Sequence, residues 1–162
     1  MAFALFGAPP DSTPMRPLLA FVAALVLSAS ASAQPSRQAS AESSLAAAAT
    51  PASVDIRAGG PDRNAVSGSG CSGFIRNARP VATVAHSGGP LSIYVTSGTD
   101  TTLLVADPAG RWQCSDDANG SNPAVTFAAG QSGEYTVWVG TFSAEAADAA
   151  ATLFAVQGQP SW

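Results

Sequence analysis

The stretch Asp100-Thr-Thr-Leu-Leu-Val-Ala-Asp107-Pro-Ala-Gly110-Arg111-Trp-Gln-Cys114-Ser-Asp116-Asp117-Ala-Asn119 decides how this chain is read. Residues 101–106 alternate, which sets Leu103 and Val105 on one face of a strand. Asp107-Pro-Ala-Gly110 reads as a turn: Pro108 presets φ, Gly110 closes it, and Asp107 caps it. Residues 111–115 form the returning strand. A hairpin of this kind pairs the start of one strand with the end of the other, so Asp100, Asp116 and Asp117 should meet at one end. Carboxylates clustered in a chain poor in charge serve either tight turns or a hard cation held by oxygens. Asp100, Asp116, Asp117 and Asn119 are therefore the candidate ligands for calcium. A solvated loop with Asx-turns is the other reading. Arg111 is poorly placed to neutralise the cluster, because it starts its strand at the turn end, ~13 Å away.

Outward from this hairpin the period-two pattern recurs. It marks strands over 72–76, 81–85, 91–96, 124–128, 135–139 and 152–157. Seven or eight short strands separated by turn signals imply an all-β fold, an antiparallel β-sandwich or jelly roll. Residues 143–150 are the only helix candidate, and a loop fits them equally well. Tyr135 shares a face with Val137 and Val139 and belongs to the core. Trp112 shares a face with Cys114. Tyr94 and Trp138 lie on the opposite faces of their strands, where solvent-facing aromatics could stack on sugars or grip a partner. Small sandwiches can also cover both faces, which would bury these two rings.

The N-terminus reads as a secretory signal. Arg16 supplies the positive charge, residues 17–27 the short apolar run, and Ala31-Ser32-Ala33 the cleavage site, which makes residues 1–33 the signal peptide. The apolar run is about half the ~20 residues a membrane span needs. Met15 is a second candidate initiator, since residues 1–14 add nothing to a signal. Export places the protein in the periplasm or outside the cell, where Cys71 and Cys114 form an even pair in an oxidising compartment. A disulfide between them would stabilise the fold by roughly 4 kcal/mol in the chain-entropy model. A zinc site is the weaker reading, because one histidine and two cysteines cannot complete it.

Residues 34–70 are rich in Ala, Ser, Pro and Gly and carry few large apolar side chains, so they are expected to be a disordered linker. The folded domain is then 71–157, and 158–162 is a loose tail. The chain has a formal net charge of −4 and no lysine. That excludes nucleic acid and anionic membranes as natural partners, because both call for a basic patch.

From Cys71 onward the chain resembles the bacterial pre-peptidase C-terminal domain family. The residues that carry the resemblance are Cys71-Ser-Gly-Phe-Ile75, Leu91-Ser-Ile-Tyr-Val95, Asp100-Thr-Thr-Leu-Leu-Val105, Asp116-Asp117 and Gly133-Glu-Tyr-Thr-Val-Trp-Val-Gly140. The resemblance implies a β-sandwich module of the kind appended to secreted peptidases, some of which bind calcium or polymeric substrates. No peptidase domain accompanies it here. A second string, His86-Ser87-Gly-Gly-Pro-Leu91, resembles the nucleophile motif of trypsin-like serine peptidases with His86 in place of the Asp. Chemistry rejects it: a triad needs a separately placed histidine oriented by a carboxylate, and His86 is the only histidine and is adjacent to Ser87. The expectation is a non-enzymatic, exported binding module for a protein, a polysaccharide or other polymer, or an envelope ligand. The alternative is a peptidase-associated accessory, chaperone or inhibitor domain.

Overall fold

The computed structural model describes residues 34–68 and 70–162. The expected signal peptide and the choice of Met15 as initiator lie outside the described residues. Eleven strands form two sheets: β1 Ser43–Ala46, β2 Ala52–Ala58, β3 Asp62–Arg63, β4 Phe74–Ile75, β5 Ala82–His86, β6 Gly89–Ser97, β7 Thr101–Ala106, β8 Trp112–Ser115, β9 Ala124–Gly130, β10 Gly133–Thr141 and β11 Ala149–Val156. The last eight answer to the strands expected from the alternation. In place of a helix, residues 143–150 hold one short 3-10 turn, Ala144–Ala146, before β11 begins.

The larger sheet has seven strands. β10 lies at its centre, paired antiparallel with β5, β7 and, at Thr141, β4. β8 extends it beyond β7, β3 extends it beyond β4, and β1 lies parallel to β5. The second sheet has the order β2-β11-β6-β9, all antiparallel.

The expectation of a disordered linker over 34–70 is corrected here. β2 pairs with β11 over seven residues, from Ala52↔Ala155 to Ala58↔Ala149. β1 adds Leu45 to the core between the sheets, and Ile56 and Ala58 join it from β2. Composition misled because alanine and serine give little hydrophobic signal. They can still pack where backbones approach closely, and these strands gain their stability from ladder bonds to β5 and β11 as well as from large side chains.

The main core lies between the sheets. Val84, Leu91, Ile93, Val95, Leu103, Val105, Tyr135, Val137, Val139 and Leu153 are all buried in it. A second, smaller core covers the outer face of the larger sheet, where Val66 packs with Ile75, Leu104, Ala106 and Trp138. Strand β7 is therefore buried on both faces. The disulfide between Cys71 and Cys114, with Cα atoms 5.0 Å apart, borders this second core together with Trp112. Gly140 permits the close approach: a Cβ there would sit 2.4 Å from the Thr102 hydroxyl and 2.7 Å from the Phe74 carbonyl. Among the described residues no helix is long and apolar enough to cross a membrane.

Candidate functional site

One end of the larger sheet gathers the acidic residues. The β7–β8 register places Leu103 opposite Ser115, so the next residues of the two strands bring Asp116 and Asp117 toward Asp100. The Asp100 carboxyl is raised above its ordinary value, first by desolvation and then by the charges of Asp117 and Asp116. Asp116 is partly satisfied, since Ser72 Oγ donates to its Oδ2 at 2.9 Å. Asn119 lies in a tight turn in which its N–H donates to the Asn122 carbonyl at 3.0 Å and its carbonyl accepts from the Asn122 N–H at 3.2 Å. Among the described residues no three His, Cys, Asp or Glu side chains are gathered as a metal-ligand set. The carboxylates are neighbours without forming a closed cage.

The other neighbour of Asp100 is a residue the sequence reading passed over. Thr141 of β10 faces Thr101 of β7, and the ladder continues one step further: the Phe142 N–H donates to the Asp100 carbonyl at 3.1 Å. Phe142 is 53% exposed, one of two large hydrophobic side chains left so open among the described residues. It follows a strand whose other aromatics, Tyr135 and Trp138, are buried, and the alternation alone gave no sign that its ring is free. The signal that could have found it is position: it is a lone aromatic at a strand end, opposite Asp100 in the register and close in sequence to Glu145. Phe142, Asp100, Asp116 and Asp117 thus occupy the same end of three adjacent strands.

Tyr94 and Trp138 do not face solvent. Each is 1% exposed. Both lie on the outer faces of their sheets as their alternation requires, and both outer faces are covered. Trp138 lies in the second core, its ring 5.3 Å from that of Trp112. Tyr94 lies under residues 158–162, whose Ser161 carbonyl accepts its hydroxyl proton at 3.2 Å. The expected loose tail is thus packed, and neither ring is open to a ligand in this conformation.

The His86-Ser87 string is a turn. His86 is buried, its Nε2 lies 3.1 Å from the Gly89 carbonyl, and its ring meets Tyr135 edge-on at 6.0 Å. Ser87 Oγ instead accepts from Gln157 Nε2 at 3.1 Å. The imidazole is thus committed to the turn's own backbone.

No protein-family model and no curated protein matches the chain. Among solved structures, it is similar to PliG of Aeromonas hydrophila, a periplasmic lysozyme inhibitor of g-type lysozyme, at 14% identity and a TM-score of 0.43, over 70% of this chain and 96% of that one. It is also similar to the pre-peptidase C-terminal domain of collagenase from Bacillus anthracis, the domain type its sequence resembles, at 13% identity and a TM-score of 0.42, over 72% of this chain and 95% of that one.

Proposed function

We propose that this chain is an exported, non-catalytic β-sandwich module that holds the basic surface of another protein at the sheet end around Phe142. The carrying observation is the exposed Phe142 ring at a strand end whose backbone N–H donates to the Asp100 carbonyl, the same end to which the β7–β8 register brings Asp117. Aromatic side chains dominate binding energy when a partner desolvates them, and a rim of like charge selects the sign of that partner. Carboxylates beside an aromatic favour arginine and lysine, which can pair with the charge and lie over the ring. The disulfide supports an oxidising compartment. The Ser72 hydroxyl at this end is held by the Asp116 carboxylate at 2.9 Å, and the exposed groups around Phe142 are carboxylates suited to holding a cation.

The test is capture on immobilised, strongly basic proteins at low salt, with acidic proteins of similar size as controls. The reading expects capture by the basic set alone, and loss of it in Phe142→Ala. Equal capture by both sets, or capture indifferent to Phe142, contradicts it.

A further inference from the structure

The outer face of the four-stranded sheet carries a row of aromatic rings that the chain's own C-terminal segment covers. Tyr94 on β6 and Phe154 on β11 are direct cross-strand partners. Their rings stack with centroids 4.9 Å apart and planes 9° from parallel. The Trp162 indole meets Tyr94 edge-on, at 5.1 Å and 65°. Tyr94 is thereby sealed, while Trp162 itself remains 49% exposed.

The attachment of this segment is thin past Gly158. The Gly158 N–H donates to the Pro90 carbonyl at 3.2 Å, and Ser92 Oγ donates to the Gly158 carbonyl at 2.5 Å. Further along, the Tyr94 hydroxyl donates to the Ser161 carbonyl at 3.2 Å and lies 3.1 Å from Ser161 Oγ. Gly158 has φ +119°, a conformation open mainly to glycine, and so forms a natural pivot. Lifting residues 159–162 would uncover the Tyr94 phenol, which stacks on the Phe154 ring.

We propose that this face is a docking site for an extended segment of another protein that bears an aromatic side chain, and that residues 158–162 occupy it in cis. The resident segment shows the chemistry of the occupant. It supplies a backbone carbonyl to accept the Tyr94 proton and an aromatic edge to meet the Tyr94 ring. Edge-to-face pairs contribute beyond the area they bury, so an aliphatic segment would hold the site less well. A short tether gives the resident an effective concentration on the order of mM, so a partner must bind more tightly than that or add contacts elsewhere.

The experiment titrates a capped peptide with the sequence of residues 158–162 into the full chain, read by NMR. In Trp162→Ala, amides of β6 and β11 should shift saturably, while wild type should need at least tenfold more peptide. A peptide with Ala in place of its Trp should bind neither. If Trp162→Ala does not fold, wild type alone decides: added peptide should move the Trp162 indole resonance toward its solvent-exposed position. Three outcomes would overturn the proposal. These are a folded Trp162→Ala that responds no better than wild type together with an unmoved indole, shifts produced by soluble oligosaccharides in place of the peptide, and a concentration-dependent dimer that exchanges its own tails.

Discussion

Asp107 grips Arg111 twice. Its Oδ1 accepts the Arg111 backbone N–H at 2.8 Å and its Oδ2 accepts the Arg111 Nε at 2.7 Å. The Gly110 N–H, at φ +82°, closes the same turn on the Asp107 carbonyl at 2.8 Å. The carboxylate is 2% exposed and the guanidinium 67%. The backbone bond therefore matters more than the ion pair, which solvent screens on its exposed side.

Asp107→Ala should cost about 1–3 kcal/mol by removing the carboxylate to which the Arg111 N–H and Nε donate. Arg111→Ala should cost less than about 1 kcal/mol. Burial alone would raise the Asp107 carboxyl, but the hydrogen bonds from Arg111, its charge and the Ala109 N–H together hold it below its ordinary value. A carboxyl with a lowered folded pKa stabilises the fold above about pH 4 and loses that contribution as pH falls through the folded value. Urea melts of wild type and Asp107→Asn from pH 7 down to pH 2 should converge at the acid end. A gap that stays constant with pH would contradict this.

Asp100 should behave in the opposite sense. Its carboxyl is raised in the fold, so its protonated form is favoured there, and stability from this group is lost as pH rises through the raised value. Asp100→Asn should melt above wild type at pH 7, and the gain should vanish below about pH 4. The same melts test calcium at this end. A saturable rise with millimolar calcium that Asp116→Asn with Asp117→Asn removes supports the ion, and no rise assigns the loop to solvated turns.

The disulfide ties residues 43 positions apart and seals the second core. Reduction, or Cys71→Ser with Cys114→Ser, should lower stability by about 4 kcal/mol if the denatured chain is unconstrained. The drop should come with loss of protection around Trp138, read by tryptophan fluorescence. Unchanged melting under reducing conditions would show that the second core holds without the tie.

Residues 43–58 should resist proteolysis together with the rest of the sandwich. β2 forms an edge of the four-stranded sheet and carries Ile56 and Ala58 into the core. Limited digestion should leave a fragment that begins near residue 34–42. A stable core beginning at residue 71 would contradict the pairing of β2 with β11.

The eight strands from β4 to β11 were legible because Leu91, Ile93, Val95, Tyr135, Val137 and Val139 alternate with smaller or polar residues. The hairpin from Asp100 to Asp117 was legible from its turn residues. β1 and β2 were not, because Ser43–Ala46 and Ala52–Ala58 read as small-residue linker until the partner strands are known. The faces of Tyr94 and Trp138 were read correctly. Their burial depends on Val66 and the Cys71–Cys114 pair packing over one sheet and residues 158–162 over the other, which local periodicity does not encode. Phe142 was missed for the converse reason: exposure of an aromatic is a property of what fails to cover it.

The measurement that bears most directly on the proposed function is binding of an immobilised basic protein by wild type, Phe142→Ala and Asp100→Asn with Asp117→Asn, across a salt series. Phe142→Ala should weaken binding at least tenfold at every salt concentration, as loss of an aromatic anchor does. The double carboxamide variant should bind weakly and nearly independently of salt, since exposed charges are screened over roughly 10 Å at 0.1 M. Wild-type affinity that Phe142→Ala leaves unchanged, or a salt dependence that survives removal of both carboxylates, would contradict a docking site at this end of the sheet.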